Sequence, residues 1–184
     1  MYSDEILAEK IAVGEIDLMS EIIDRYESKL RRYIIRMTGN QSEADDILQD
    51  VFLKCFTNIK SFDTKQRFSP WIYRITHNEA VNKLRKKRAV PFSQFDTLEY
   101  DFGDNIESTI RTDTQVSEQY DHNQLREVLE QLPAAHREVL ILYFYDELSY
   151  TEISDILRIP VSSVGVKISR AKELLVKHLK HLYE

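Results

Sequence analysis

Between Ser149 and Leu182 the sequence leaves room for little except two helices joined by a tight break. Ser149-Tyr150-Thr151-Glu152 has the form of a capping box, in which the Ser149 hydroxyl accepts the Glu152 amide and the carboxylate reaches back. Ile153, Ile156 and Leu157 follow at helical spacing. Pro160 biases Ile159 away from the helical region, which predicts a stop near Leu157 or Arg158 and a restart at Val161 or Ser162. At about 100° per residue, Val161, Val164, Ile168, Ala171, Leu175, Leu179 and Leu182 share one stripe, a predicted buried face. The opposite side carries Ser162, Val166, Ser169, Arg170 and Glu173, with Lys167 and Lys172 on the flanks. This is a helix-turn-helix pattern, which suits the major groove of DNA. An ordinary helical hairpin with solvated lysines has the same spacing, so this stretch does not decide between them.

The rest of the chain predicts an all-α protein of two small domains. Its 184 residues hold only four Gly and four Pro, and no alternating run bounded by turn residues suggests a strand. A 42% hydrophobic content suffices for globular cores. The single cysteine, Cys55, cannot form an internal disulfide, as expected in a reducing cytosol. No apolar run approaches membrane-spanning length and no signal sequence opens the chain, so a soluble, cytoplasmic protein without membrane insertion is expected.

Charge distribution says more than the net −6. Residues 72–90 hold six cations and one acid, and residues 161–181 hold five cations and one acid. Between them, residues 91–121 carry eight acids and one arginine. Two basic domains joined by an acidic, flexible linker fit one long polyanionic ligand touched at two places. Fully extended, such a linker reaches on the order of 100 Å. The predicted layout is residues 1–90, a linker at 91–121, and residues 122–184.

A short helix is predicted over 3–13, with Ile6, Leu7 and Ile11 on one side and Gly14 as its stop. A long amphipathic helix follows from Leu18 to Met37, ended by Gly39. The next opens at Ser42 and buries Ile47, Leu48, Val51, Phe52, Cys55, Phe56 and Ile59. Its outer surface, with Asp46, Gln49, Asp50 and Leu53, is acidic with an apolar centre and suits a basic helical partner or plain solvent. Lys60 to Phe68 reads as a loop, and Ser69-Pro70 as the start of a helix running to about Arg88. Trp71, Asn78, Asn82 and Arg85 line one side of that helix, and His77 sits in its apolar stripe as a satisfied core histidine. Rings beside cations and amides are what single-stranded nucleic acid requires, although Trp71 also suits a core. Five cations within Lys83–Arg88 repel one another unless a polyanion neutralises them. From His122 a second helical domain begins, with Leu125, Val128, Leu129 and Leu132 before Pro133.

The order of these segments resembles an extracytoplasmic-function (ECF) sigma factor, a compact branch of the bacterial sigma-70 family. Glu43-Ala44-Asp45-Asp46-Ile47-Leu48-Gln49-Asp50-Val51-Phe52 is similar to that family's second conserved region. Phe68-Ser69-Pro70-Trp71-Ile72-Tyr73-Arg74-Ile75, with Asn78 and Leu84-Arg85, resembles its promoter-opening segment. Leu132-Pro133, Arg137, Val139-Leu140, Leu148-Ser149-Tyr150, Glu152-Ile153, Ile159-Pro160-Val161 and Arg170-Ala171 resemble the fourth region. The resemblance implies an alternative-sigma initiation factor, with no catalysis and no cofactor or metal of its own. It would bind core RNA polymerase, direct it to promoter DNA, and be restrained by an anti-sigma factor. Asp46, Gln49, Asp50 and Leu53 would dock on the clamp helices of the polymerase largest subunit. Lys60, Phe62, Lys65, Arg67, Phe68, Trp71, Asn78, Asn82, Lys83, Arg85, Lys86 and Arg88 would open and hold the minus-10 element. Ser162, Ser163, Val166, Lys167, Ser169, Arg170 and Lys172 would read the minus-35 element. Gly165 stands where that family usually has a basic residue, and Asn82 where it commonly has an acid.

Two other readings differ in what they require. A one-component helix-turn-helix regulator would need neither the Asp46–Leu53 surface nor the Lys60–Arg88 segment. An all-helical, magnesium-dependent nucleotide pyrophosphatase could use Glu43, Asp46 and Asp50, but needs a second facing acidic helix. No convincing one is found: Glu127 and Glu130 have the spacing but lie in the other half of the chain.

Overall fold

The computed structural model describes residues 2–88, 129 and 131–181, and every regular element among them is helical. Helix α1 (Asp4–Ala12) starts where the Ser3 hydroxyl accepts the Ile6 amide at 3.4 Å. It buries Leu7, Ala8 and Ile11, while Ile6, expected beside them, faces solvent. Gly14, at φ +118°, turns the chain toward α2 (Met19–Thr38). Gly39 closes α2 in the left-handed conformation, its N–H returning to the Ile35 carbonyl at 2.8 Å.

Helix α3 (Gln41–Asn58) is capped by Asn40 rather than by Ser42. Asn40 Oδ1 accepts both the Ser42 amide, at 3.0 Å, and the Ser42 hydroxyl, at 2.8 Å. Either residue type serves as a cap, so the sequence alone was ambiguous by two positions. Helix α4 (Phe68–Arg88) packs across α2 and α3. Tyr33, Ile34, Val51, Cys55, Phe68 and Ile72 are fully buried among these helices. Burial pushes the Cys55 thiol up to about 12, which leaves it a small hydrophobe rather than a nucleophile.

In the C-terminal half, α5 (Ala134–Leu140) continues into a wider, π-type turn over Ile141–Tyr145. Helices α6 (Tyr150–Leu157) and α7 (Val161–His181) form the helix-turn-helix. The capping box is present: the Ser149 amide donates to Glu152 Oε2 at 3.0 Å, and the Glu152 amide to Ser149 Oγ at 3.3 Å. Arg158 ends α6 in the left-handed region at φ 55°, and Pro160 keeps the two helices apart. Ser149→Ala should lower stability by about 1 kcal/mol in denaturant titration, the usual value of an N-cap. Val164, Ile168, Ala171 and Leu179 are buried as their stripe predicts. Val161, the first residue of α7, is exposed.

The two halves pack together. Helix α6 lies against α4, and α5 with its π-type turn lies against α2, so the buried apolar residues form one continuous cluster. Leu129 and Leu132 belong to it. The predicted linker 91–121, Leu125, Val128 and Leu182 lie outside the described residues.

Candidate nucleic-acid interface

Three faces hold the residues singled out in the sequence. On α3, Asp46, Gln49, Asp50 and Leu53 are all exposed on one side, and Leu53 keeps 60% of its surface. Phe56, expected in the core stripe, is exposed beside them, so the apolar centre of this face is two side chains wide. A signal existed: Phe56 is three positions from Leu53, and the stripe from Ile47 to Ile59 was too broad for one buried face.

The second face is the start of α4 with the loop before it. Phe62 and Phe68, expected among the residues that hold the minus-10 strand, are buried beneath this face. Their rings meet edge to face at 5.4 Å, and Phe68 also meets Tyr26 at 5.6 Å. Trp71 lies tilted over both, 5.1 Å from Phe62 and 5.4 Å from Phe68, and stays half-buried. Lys65, Gln66, Arg67, Pro70, Trp71 and Arg74 line a cleft of about 410 Å³ that Asp155 of α6 closes from the far side. Lys60 and Asn78 are exposed, while Asn82, Lys83 and Arg85 are half-buried and Lys86 is exposed at the end of α4. The Arg88 side chain lies outside the described residues.

Across this cleft the C-terminal half supplies acids. Arg67 pairs with Glu152 at 2.8 Å. Burial works against the Glu152 carboxylate, but the Ser149 hydroxyl and amide and Arg67 hold it below the usual range. Glu138, only 4% exposed, bridges the halves: the Tyr33 hydroxyl donates to its Oε1, and His77 Nδ1 meets the same oxygen. His77 is therefore satisfied as expected, but by a partner 61 positions away that no helical period could supply.

Asp146, just after the π-type turn, is the other acid of this contact and is half-buried. Burial raises its carboxyl to about 6, and Arg36, Arg32, the Tyr73 hydroxyl and Lys29 offset that only in part. Beside it, the Arg36 guanidinium stacks on Tyr145 at 4.1 Å. A carboxyl raised in the packed state binds a proton on packing, so its contribution to stability falls as pH rises from about 4 to about 6 and is constant above. Asp146→Asn should therefore gain on the wild type in thermal midpoint across that window and hold its lead at higher pH. Parallel melts at about pH 4.5 and about pH 8 check this; an equal difference at both would contradict it.

The third face is on α7. Ser162 and Ser169 are exposed, and Ser163, Val166, Lys167, Arg170 and Lys172 are half-buried. Lys172 Nζ stands 5.0 Å over the exposed Phe144 ring. Burial, together with Lys167 and Arg170, lowers the His136 pKa. Gly165 faces inward: a Cβ there would lie 3.3 Å from the Tyr150 ring, so the glycine lets α6 approach α7. Helical phase had not shown this reason for a glycine in mid-helix. Among the described residues no three His, Cys, Asp or Glu side chains gather as a metal site, and no helix is long and apolar enough to cross a membrane.

Comparison with known proteins follows the same division. Residues 22–90 match the family described as Sigma-70 region 2, and residues 122–175 match Sigma-70, region 4. The ECF RNA polymerase sigma factor SigW of Bacillus subtilis is 34% identical, over 94% of this chain and 95% of its own. The chain belongs to the ECF sigma factors of the sigma-70 family. The ECF RNA polymerase sigma-E factor of Escherichia coli K12 is 29% identical over 94% of this chain and 92% of its own. Among solved structures, CnrH in complex with the cytosolic domain of CnrY superposes with a TM-score of 0.71 at 21% identity, covering 97% of each chain. The sigma factor RpoE of Bartonella quintana, in complex with the anti-sigma factor NepR, gives 0.65 at 24% identity, covering 88% of this chain and 96% of that one. These two likenesses establish the fold.

As an ECF sigma factor the chain is a promoter-specific initiation factor for RNA polymerase. That family consists of initiation factors rather than enzymes. The single-domain regulator reading falls with the match to region 2.

Proposed function

We propose that this sigma factor divides its work among the three faces. The α3 face, with Asp46, Gln49, Asp50, Leu53 and the added Phe56, docks on the polymerase clamp helices. Trp71 and the cations around the α4 cleft hold the opened minus-10 strand, with Phe62 and Phe68 as the buried support. Ser162, Ser169 and Arg170 face the minus-35 base edges, while Lys167 and Lys172 position the helix on phosphates. The observation that carries this reading is the cleft at the start of α4. It has one half-buried tryptophan on a rigid aromatic floor, ringed by Lys65, Arg67 and Arg74. Base stacking on Trp71 and strand phosphates on those cations offset the cost of opening the duplex. The work is done in the cytoplasm, and an anti-sigma factor, as in the complex of RpoE with NepR, restrains it by covering these faces.

The packed arrangement belongs to the protein off the promoter. The two elements lie about 25 base pairs apart, on the order of 85 Å at 3.4 Å per pair. Helix α7, which is 21 residues long, spans only about 31 Å and follows directly on α6, which is packed against α4. The halves therefore part on DNA, and segment 91–121 has the length to let them.

The test is transcription in vitro with purified core polymerase on a pool of promoter fragments. Discrete start sites that require this protein are expected, with Trp71→Ala abolishing them while core binding persists. Initiation by Trp71→Ala at wild-type level would overturn the assignment of the cleft.

A further inference from the structure

Helix α1 lies outside both matched family segments, yet two consecutive acids on it are tied to the start of α4. Glu5 Oε1 accepts the Phe68 amide at 3.1 Å, across 63 positions of sequence. Phe68 is the first residue of α4, where a helix leaves its amides without internal partners. The cap normally comes from the residue just before a helix, but Arg67 is turned outward to Glu152. Burial works against a charged Glu5, but the Phe68 amide, its own amide and the Ser3 hydroxyl hold its carboxyl below the ordinary value.

Asp4 fixes the helix that carries Glu5. Its carboxylate takes Arg25 and the Tyr26 hydroxyl of α2, and that hydroxyl is also hydrogen-bonded to Ser69, the second residue of α4. The Tyr26 ring then packs on Phe68, which supports Trp71. Neighbouring acids of α1 thus grip neighbouring residues of α4, one through its backbone and one through a tyrosine.

We propose that Glu5 is a positioning residue for promoter opening, its carboxylate fixing the first turn of α4 and so the pose of Trp71. This rests on the assignment of Trp71 to the minus-10 strand. Glu5 touches no DNA in this scheme and acts through Phe68. Losing it leaves α4 a helix, because the remaining turns keep their own bonds. The first turn, however, can rock over the aromatic floor.

Trp71 is the only tryptophan of the chain, so its fluorescence reports the pose directly. In the full-length protein, Glu5→Ala should shift Trp71 emission to the red and increase its quenching by acrylamide. Glu5→Gln, whose amide oxygen can still accept from Phe68, should stay close to the wild type. With core polymerase, Glu5→Ala should initiate about tenfold less on a duplex promoter, the factor carried by one well-placed hydrogen bond. On a template whose minus-10 strands are mispaired in advance, the deficit should shrink to about twofold or less, since opening is bypassed. Core affinity should not change. Equal loss on both templates, Glu5→Gln failing like Glu5→Ala, or unchanged Trp71 emission would each overturn the proposal. Wild-type protein that initiates on neither template would overturn the initiation reading itself, whatever Trp71 shows.

Discussion

Replacing Leu53 with lysine should weaken binding to core RNA polymerase by at least about 100-fold, or about 2.7 kcal/mol, while leaving the fold intact. Leu53 is 60% exposed on the same helix face as Asp46, Gln49 and Asp50, with exposed Phe56 a turn further on. An exposed leucine alone means little, but one that shares a helix face with two acids and a second exposed apolar ring has the makings of an interface centre with a charged rim. Docking would remove that leucine from water and set the acids against basic partner groups. Lysine removes the first contribution and opposes the second. In the free protein the same change lies in solvent, where substitutions stay within about 0.5 kcal/mol. For a chain of this length that is at most about 2 °C in thermal midpoint. Anisotropy titration of labelled protein with core polymerase gives the affinity, and a melt gives the control. Asp50→Asn should cost less, and its cost should shrink with added salt, as a rim charge does. Undiminished binding by Leu53→Lys would return this surface to the status of a solvated helix face.

Much of this molecule is legible in its sequence because the determinants are local. The capping box at Ser149, Gly39 after α2 and Pro160 between α6 and α7 are each decided within four residues, and each stands where predicted. The stripes of α2 and α7 follow from a fixed helical period. What the sequence hides is the identity of partners across space. Phe62 and Phe68 look like stacking rings from their neighbours Lys60, Lys65 and Arg67. Their burial depends on Tyr26 and Trp71 arriving from other helices. Glu5 reads as an ordinary acid in a first turn until α4 is seen to begin at its carboxylate.

The contact between the halves was hidden for another reason. Charge counting separated two basic regions by an acidic one, which suggested independent domains. Glu138 and Asp146 sit in a C-terminal half that is nearly neutral in sum, so no charge tally distinguishes them from solvated acids. Only the fold shows both turned inward, Glu138 to Tyr33 and His77, and Asp146 toward Tyr73, Arg32 and Arg36. Acids drawn out of water at such a contact add little net stability, since desolvation offsets most of their attraction.

Phe68→Ala should be the most destabilising single change near the cleft, costing about 3–5 kcal/mol. Phe68 is fully buried and touches Tyr26, Phe62 and Trp71 within ring-centre distances of 5.4–5.6 Å. Its removal leaves a void bounded by the loop before α4, by α2 and by Trp71, none of which can collapse inward without breaking another ring contact. At about 2–4 °C per kcal/mol the thermal midpoint should drop by on the order of 10 °C, read by circular dichroism. Trp71→Ala, at a half-buried position, should cost clearly less stability yet remove more activity. The contrast separates support from contact: if Phe68 itself stacked on the opened strand, it would be exposed, and its loss would impair promoter opening with little change in the melt. A Phe68→Leu variant sharpens this, because leucine refills most of the void without an aromatic face. Recovery of both the melt and initiation by Phe68→Leu is expected. Recovery of the melt alone would mean that the ring reaches the DNA after all.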